Sequence, residues 1–173
     1  DHFRRNGVDV RAVDAVAGTA TGVADILVNA AGENCIVIAP GANGLCDLEW
    51  LDRALEATAD CEIFLLQLEI PLDTVAEAVR RLRKMGKTIL LDPAPAVPLP
   101  EDVLSAVDFL TPNETELKAV TSGLPEDVGI EERVRHLVGG SGRVVVHKRG
   151  ADGAYIGTRD GIEHVPGFSV RAV

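Results

Sequence analysis

The sequence predicts an α/β fold with a mostly parallel sheet, on three observations. Four short apolar runs with strand character end in polar or Pro/Gly-rich clusters, after Gln67, Leu91, Leu110 and Val146. Stretches with helical spacing separate the runs. The connections are too long for hairpins, so strand, helix and strand form right-handed crossovers between parallel strands. In such a sheet the clusters share the carboxyl edge, where ligands of open α/β folds bind.

At 173 residues, 46% of them hydrophobic, the chain is sized for one globular core rather than two. The balance of 27 acidic against 17 basic residues gives a formal charge of −10 and repels polyanions. Aromatics make up 3% of the chain, too few for base-stacking platforms, so nucleic acid is not an expected partner. No apolar stretch has the length to span a bilayer, and Asp1-His2-Phe3-Arg4-Arg5 lacks the apolar core of a signal peptide. No membrane partner is expected. Cys35, Cys46 and Cys61 are odd in number and form no close pair, which argues against a disulfide framework or a Cys-rich zinc site and for a reducing cytoplasm. The chain does not start with methionine, as expected of a processed or partial sequence.

Taken in order, Val13–Val16, Val23–Asn29 and Cys35–Ala39 read as strands, the last two joined by a turn at Ala30-Ala31-Gly32-Glu33 and paired antiparallel. Asp47 can cap a helix whose apolar positions include Leu48, Leu51 and Leu55. Ile63–Leu66 is a strand. Pro71 suits the first position of a helix whose apolar face is Leu72, Val75, Ala76, Val79 and Leu82. Arg80, Arg81, Arg83 and Lys84 complement the C-terminal dipole, and Gly86 stops the helix. Strand Thr88–Leu91 follows, then a helix over Glu101–Ala106, strand Phe109–Leu110, helices near Glu114–Val120 and Ile130–Val138, and strand Val144–Val146. Ala154–Thr158 and Ile162–Val165 form a terminal hairpin around Arg159-Asp160-Gly161.

Each edge cluster has a functional and a structural reading. Glu69 is placed to accept hydrogen bonds from ligand hydroxyls, or simply favours the start of the next helix. Asp92-Pro93-Ala94-Pro95-Ala96 is stiffened by two prolines, as a ligand loop or as a connector. Asn113 and Glu116 have the spacing of a capping box. Glu114 and Glu116 would also repel anions unless a divalent cation lay between them, which suits water-bound magnesium. His147-Lys148-Arg149-Gly150-Ala151-Asp152-Gly153 combines cations with permissive glycines, as for a polyphosphate or an ordinary turn. No Walker loop or dinucleotide fingerprint is present, and Gly139-Gly140-Ser141-Gly142 leads into a strand. The four histidines lack metal-ligand spacing and are expected to be structural or exposed.

Six motifs occur in order: Thr21-Gly22-Val23-Ala24, Gly32-Glu33-Asn34, Pro40-Gly41-Ala42-Asn43, Gln67-Leu68-Glu69, Asp92-Pro93-Ala94-Pro95-Ala96 and Thr111-Pro112-Asn113-Glu114-Thr115-Glu116. Gly150, Gly153 and Val165-Pro166-Gly167-Phe168 extend the series. In this the chain resembles the ribokinase-like (PfkB) family of ATP-dependent carbohydrate kinases. The resemblance implies a three-layer α/β fold with a mostly parallel central sheet and a small β-lid. Residues 1–40 would be part of the lid and its entry strands, and 41–173 the central α/β domain. It implies transfer of the ATP γ-phosphoryl group to the primary hydroxyl of ribose, giving ribose 5-phosphate, with Mg2+ and K+ in attendance. It also implies a cytoplasmic homodimer joined through the lid in the full-length protein.

By the same resemblance, Glu69 would bind sugar hydroxyls, with Ile26 and Ile38 of the lid pressing on the sugar. Asn113, Lys148, Gly150 and Gly153 would bind ATP, and Glu116 would hold magnesium through water. Lys148 stands where the family often has threonine. In the family, the strand resembling Ser169-Val170-Arg171-Ala172-Val173 leads to Asp-Thr and Gly-Ala-Gly-Asp, which supply the monovalent-cation site, the anion hole and the catalytic base. Catalytic residues are therefore expected just beyond Val173, and this segment alone is expected to be inactive. Missing flanks are expected to expose apolar sheet edges and faces. Two alternatives stay open: a non-catalytic binding or scaffold fragment of this fold, and a related kinase acting on fructose or a nucleoside such as adenosine. Gly-Glu-Asn and Asp-Pro-Ala-Pro-Ala favour ribose.

Overall fold

The computed structural model describes residues 2–29, 34–139 and 142–169, so the predicted turn at Ala30-Ala31-Gly32-Glu33 lies outside the described residues. The chain forms two compact units, residues 1–61 with 69–74, and residues 62–68 with 75–173.

The first unit opens with a single helical turn, α1 (His2–Arg5), followed by irregular chain. The strand expected at Val13–Val16 is not formed. No described strand pairs with this segment, so its backbone has no ladder to join, and its acidic residue Asp14 accepts a hydrogen bond from Arg53 at 3.2 Å. Strands β1 (Val23–Val28) and β2 (Asn34–Ala39) form an antiparallel ribbon in the register Val23↔Ala39 to Val28↔Asn34. The motifs that flank the ribbon meet where it closes. Ala42 N donates to Ala20 O at 2.9 Å, and a Cβ on Gly22 or Gly41 would collide with the Pro40 or Ala20 carbonyl oxygen. Two glycines are needed because two backbones touch there. Helix α2 (Leu48–Ala57) is capped as predicted, with Asp47 Oδ1 accepting from Trp50 N at 2.8 Å, and it buries Leu51.

The second unit is a six-stranded sheet in the order β3 (Ile63–Leu66), β4 (Thr88–Leu91), β5 (Phe109–Leu110), β6 (Val144–Lys148), β7 (Ala154–Thr158) and β8 (Gly161–Val165). The first four strands run parallel, and the last two are the predicted antiparallel hairpin. Helix α3 (Leu72–Lys84) begins one residue after Pro71, and α4 (Glu101–Ala106), α5 (Glu114–Val120) and α6 (Ile130–Val138) make the remaining connections. Strand order follows chain order from β3 to β6, so successive right-handed crossovers place every connecting helix on the same face. On that face Ile89, Leu91, Leu110 and Val145 are fully buried, and Val75, Val79, Leu82, Val103, Leu117 and Val134 pack onto them from the helices. The alternate residues of the same strands point the other way. There Ile63, Leu65 and Phe109 are exposed, while Leu90, Val144, Val146 and Ile156 are half-buried. Within this unit, among the described residues, the helices α3 to α6 lie on one side of the sheet.

Candidate functional site

The carboxyl ends of β4, β5 and β6 carry the charged side chains that the sequence singles out. The β4–β5 connection starts at Asp92, whose N–H extends the ladder to Leu66 O at 2.9 Å. Pro93 is fully buried, and Leu68 N donates to Ala94 O at 2.8 Å, so the loop is fastened to the end of the sheet. The Ala94-Pro95 peptide bond is cis.

At the start of α5 both halves of the predicted capping box are made. Glu116 N donates to Asn113 Oδ1 at 2.9 Å, and Glu116 Oε2 accepts from Asn113 N at 2.7 Å. A third bond runs from Asn113 Nδ2 to Glu116 Oε1 at 2.7 Å, leaving one Nδ2 hydrogen for another acceptor. Glu116 is only 5% exposed, so its carboxylate is oriented by these bonds rather than by solvent.

Lys148, the last residue of β6, reaches across the end of β5. Its ammonium donates to both Asp92 oxygens, at 3.0 and 2.8 Å, and lies 3.7 Å from Glu116 Oε2. Arg149 is held by Glu114 at 2.8 Å and by Asp152 at 3.3 Å. Gly150 and Gly153 follow in a short 3-10 turn, both at positive φ (54° and 89°). Among the described residues nothing lies within 4 Å of where a Gly150 Cβ would be, whereas a Cβ on Gly153 would overlap the Val165 carbonyl oxygen. Gly150 therefore meets no described neighbour, and Gly153 is required by the chain's own backbone.

His147 lies behind this edge, fully buried on the helix-covered face. Its Nδ1 is 3.2 Å from Pro112 O, which fixes the proton on Nδ1, while Nε2 has no partner among the described residues. Burial pushes its pKa below the ordinary histidine value. The Pro112 hydrogen bond opposes that shift, and the Arg149 charge adds to it. Arg143, just before β6, is buried and donates to the carbonyls of Leu137, Val107 and Leu104, the first at 2.8 Å, and burial lowers its pKa.

Of the residues expected at the site, Asn113, Glu116 and Lys148 are brought together, with Gly150 and Gly153 in the adjoining turn. Ile26, Ile38 and Glu69 belong to the first unit. Ile26 and Ile38 share one face of the β1–β2 ribbon and are exposed, and Glu69 is exposed too. Sequence reasoning missed the Asp92–Lys148 pair, since 56 positions separate the two residues and neither helical nor strand spacing links them. Among the described residues no group of three or more His, Cys, Asp or Glu side chains is arranged to hold a metal ion. Both Glu116 oxygens already accept hydrogen bonds, so the donor set fits an outer, water-mediated contact with magnesium rather than a direct cage.

A parallel sheet with a polar, charge-laden carboxyl edge places this unit among the open α/β folds, in which ligands lie at the carboxyl ends of the strands. The model of the pfkB family of carbohydrate kinases matches residues 1–173, so the chain belongs to that family. It is 41% identical over 170 residues to a deoxyribokinase of Salmonella typhi, covering 96% of this chain and 55% of that protein. It superposes on the ribokinase of Thermotoga maritima with a TM-score of 0.83 at 30% identity, covering 99% of this chain and 56% of that one. The Arabidopsis thaliana ribokinase complexed with ribose and ATP gives a TM-score of 0.71 at 28% identity, covering 92% and 53%. The chain thus spans about half the length of these relatives. Among the described residues, no helix is long and apolar enough to cross a membrane.

Proposed function

We propose that the protein carrying this chain transfers the γ-phosphoryl group of ATP to the primary hydroxyl of ribose. The observation that carries this reading is the convergence of Asn113, Glu116 and Lys148 at the carboxyl edge of a pfkB-family sheet. In this reading the free Nδ2 hydrogen of Asn113 and the Lys148 ammonium meet the nucleotide phosphates. Gly150 lets the phosphate chain approach the backbone, Gly153 shapes the turn, and Glu116 orients water around magnesium. K+ serves as a monovalent activator. Phosphoryl transfer needs positioning and stabilisation of charge on the transferred group, and these residues supply the nucleotide half of both. Glu69 binds sugar hydroxyls, with Ile26 and Ile38 covering the ring, in a lid that comprises residues 1–40 and joins two subunits. The central domain is residues 41–173. The catalytic base is assigned to no residue of this chain, and the setting is cytoplasmic.

A second substrate, 2-deoxyribose, is favoured by the 41% identity to a deoxyribokinase. Sugar-dependent ADP formation by the natural protein separates the readings. Ribose turnover at least about tenfold more efficient than 2-deoxyribose, a difference of roughly 1.4 kcal/mol in transition-state binding, supports the first. The reverse order supports the second. Strong preference for fructose or adenosine would replace both, and nucleotide binding without any sugar-dependent turnover would leave a non-catalytic binding protein. Glu69→Ala is expected to raise the sugar KM while leaving nucleotide affinity unchanged.

A further inference from the structure

The charges at the carboxyl edge do not balance. Asp92, Glu114, Glu116 and Asp152 surround Lys148 and Arg149, joined by contacts of 2.8 to 3.7 Å, so four carboxylates face two cations. The guanidinium of Arg149 is engaged by two carboxylates, and two of the three donors of Lys148 go to Asp92. A polyphosphate arriving alone meets cations that are already neutralised and a surplus of two negative charges. One arriving with a divalent cation meets a matched deficit, and the third Lys148 donor remains for a phosphate oxygen.

We propose that Asp92 is a specificity-determining residue that makes nucleotide binding at this edge conditional on a divalent cation. The inference rests on the nucleotide reading given above and adds a residue to it. Asp92 is singled out by its surroundings. The Glu114 and Asp152 side chains are 60% and 69% exposed, where solvent and salt screen them. Glu116 is built into the α5 cap and cannot be changed without disturbing it. The Asp92 side chain is 28% exposed and grips Lys148, a cation that reaches between strand ends. Its backbone bonds to Leu66 and Ala94 do not involve the carboxylate, so asparagine keeps the loop and removes only the charge. Removing one charge beside a polyphosphate is expected to change affinity by about tenfold in a partly solvated site.

The test is calorimetric titration of the natural protein with ADP, a probe that does not turn over, in excess Mg2+ and in EDTA. For the wild type, ADP is expected to bind at least about thirtyfold more weakly in EDTA, because magnesium offsets most of its charge. Asp92→Asn is expected to tighten metal-free binding about tenfold and to change Mg-ADP binding by less than about threefold. Raising ionic strength should strengthen metal-free binding to the wild type, by screening repulsion, and should do so about half as much in the variant, which keeps one surplus negative charge. Lys148→Met, which alters the balance in the opposite direction, should widen the gap between the two conditions. An Asp92→Asn gap equal to that of the wild type, or weaker metal-free binding, overturns the role of Asp92. Should Asp92→Asn fail to fold, the salt response of the wild type and the Lys148→Met gap decide, and a metal-free affinity that falls with salt overturns the proposal. A wild type that does not bind Mg-ADP overturns the nucleotide reading itself, a separate result.

Discussion

The two faces of the six-stranded sheet are made from the same strands and nearly the same residue types, yet they live in different solvents. On one, Ile89, Leu91, Leu110 and Val145 are sealed beneath four helices, and on the other Leu65 is 73% exposed and Ile63 61%. Strand composition does not account for the difference. Connectivity does, because strands laid down in chain order with right-handed crossovers send every helix to one side. Continuous apolar runs such as Ile63-Phe64-Leu65-Leu66 belong to sheets covered on both faces, so the open face carries the composition of a buried one. Exposed apolar strands of this kind favour self-association.

The comparison is tested most severely by truncating one side chain on each face. Leu91→Ala in the 173-residue chain should cost about 3 kcal/mol, read from urea midpoints, because a buried leucine leaves a cavity. An effect below about 1 kcal/mol would mean that the helix-covered face is not a close-packed core. Next in size, Arg143→Met should cost roughly 2 kcal/mol by leaving three buried carbonyls without their donor. The same unfolding curves would show it, and a neutral result would mean that water replaces the guanidinium.

A smaller effect distinguishes the faces by pH. Burial depresses the His147 pKa, so below about pH 6.5 the unfolded chain takes up a proton that the folded chain refuses. Stability should therefore decline as pH falls through that value, and His147→Asn should flatten that part of the profile. An unchanged slope in the variant would assign the pH dependence to other groups. The smallest effect belongs to the open face. Leu65→Ala should change stability by less than about 0.5 kcal/mol, and Leu65→Lys should lower self-association in sedimentation, since exposed apolar strands promote it. A loss of about 2 kcal/mol on Leu65→Ala would show that this face is covered in solution.

Much of the architecture is legible in the sequence because local signals and tertiary structure agree. The α3 stripe of Leu72, Val75, Ala76, Val79 and Leu82, the Asp47 and Asn113 caps, and the hairpin at Arg159-Asp160-Gly161 all act within a few residues. Val13–Val16 misled because β-branched residues satisfy a strand pattern without supplying a partner, and β pairing is a non-local condition. The candidate site divides the same way. Asn113 with Glu116 can be read from spacing, but Asp92 with Lys148 depends on which strand ends become neighbours. His147, expected to be structural or exposed, is fully buried, because the alternation in β6 decides which face it joins.

The crossing of Gly153 over Gly167 has a further consequence. A Cβ at either position would intrude on the other's backbone, so the turn after Lys148 and the exit from β8 are stitched together without side chains. The stitch delivers the segment Pro166-Gly167-Phe168 alongside the turn that bears the charged edge, and any slackening there would be felt in both threads at once. A methyl at Gly153 would overlap the Val165 carbonyl oxygen, so one thread or the other would have to shift.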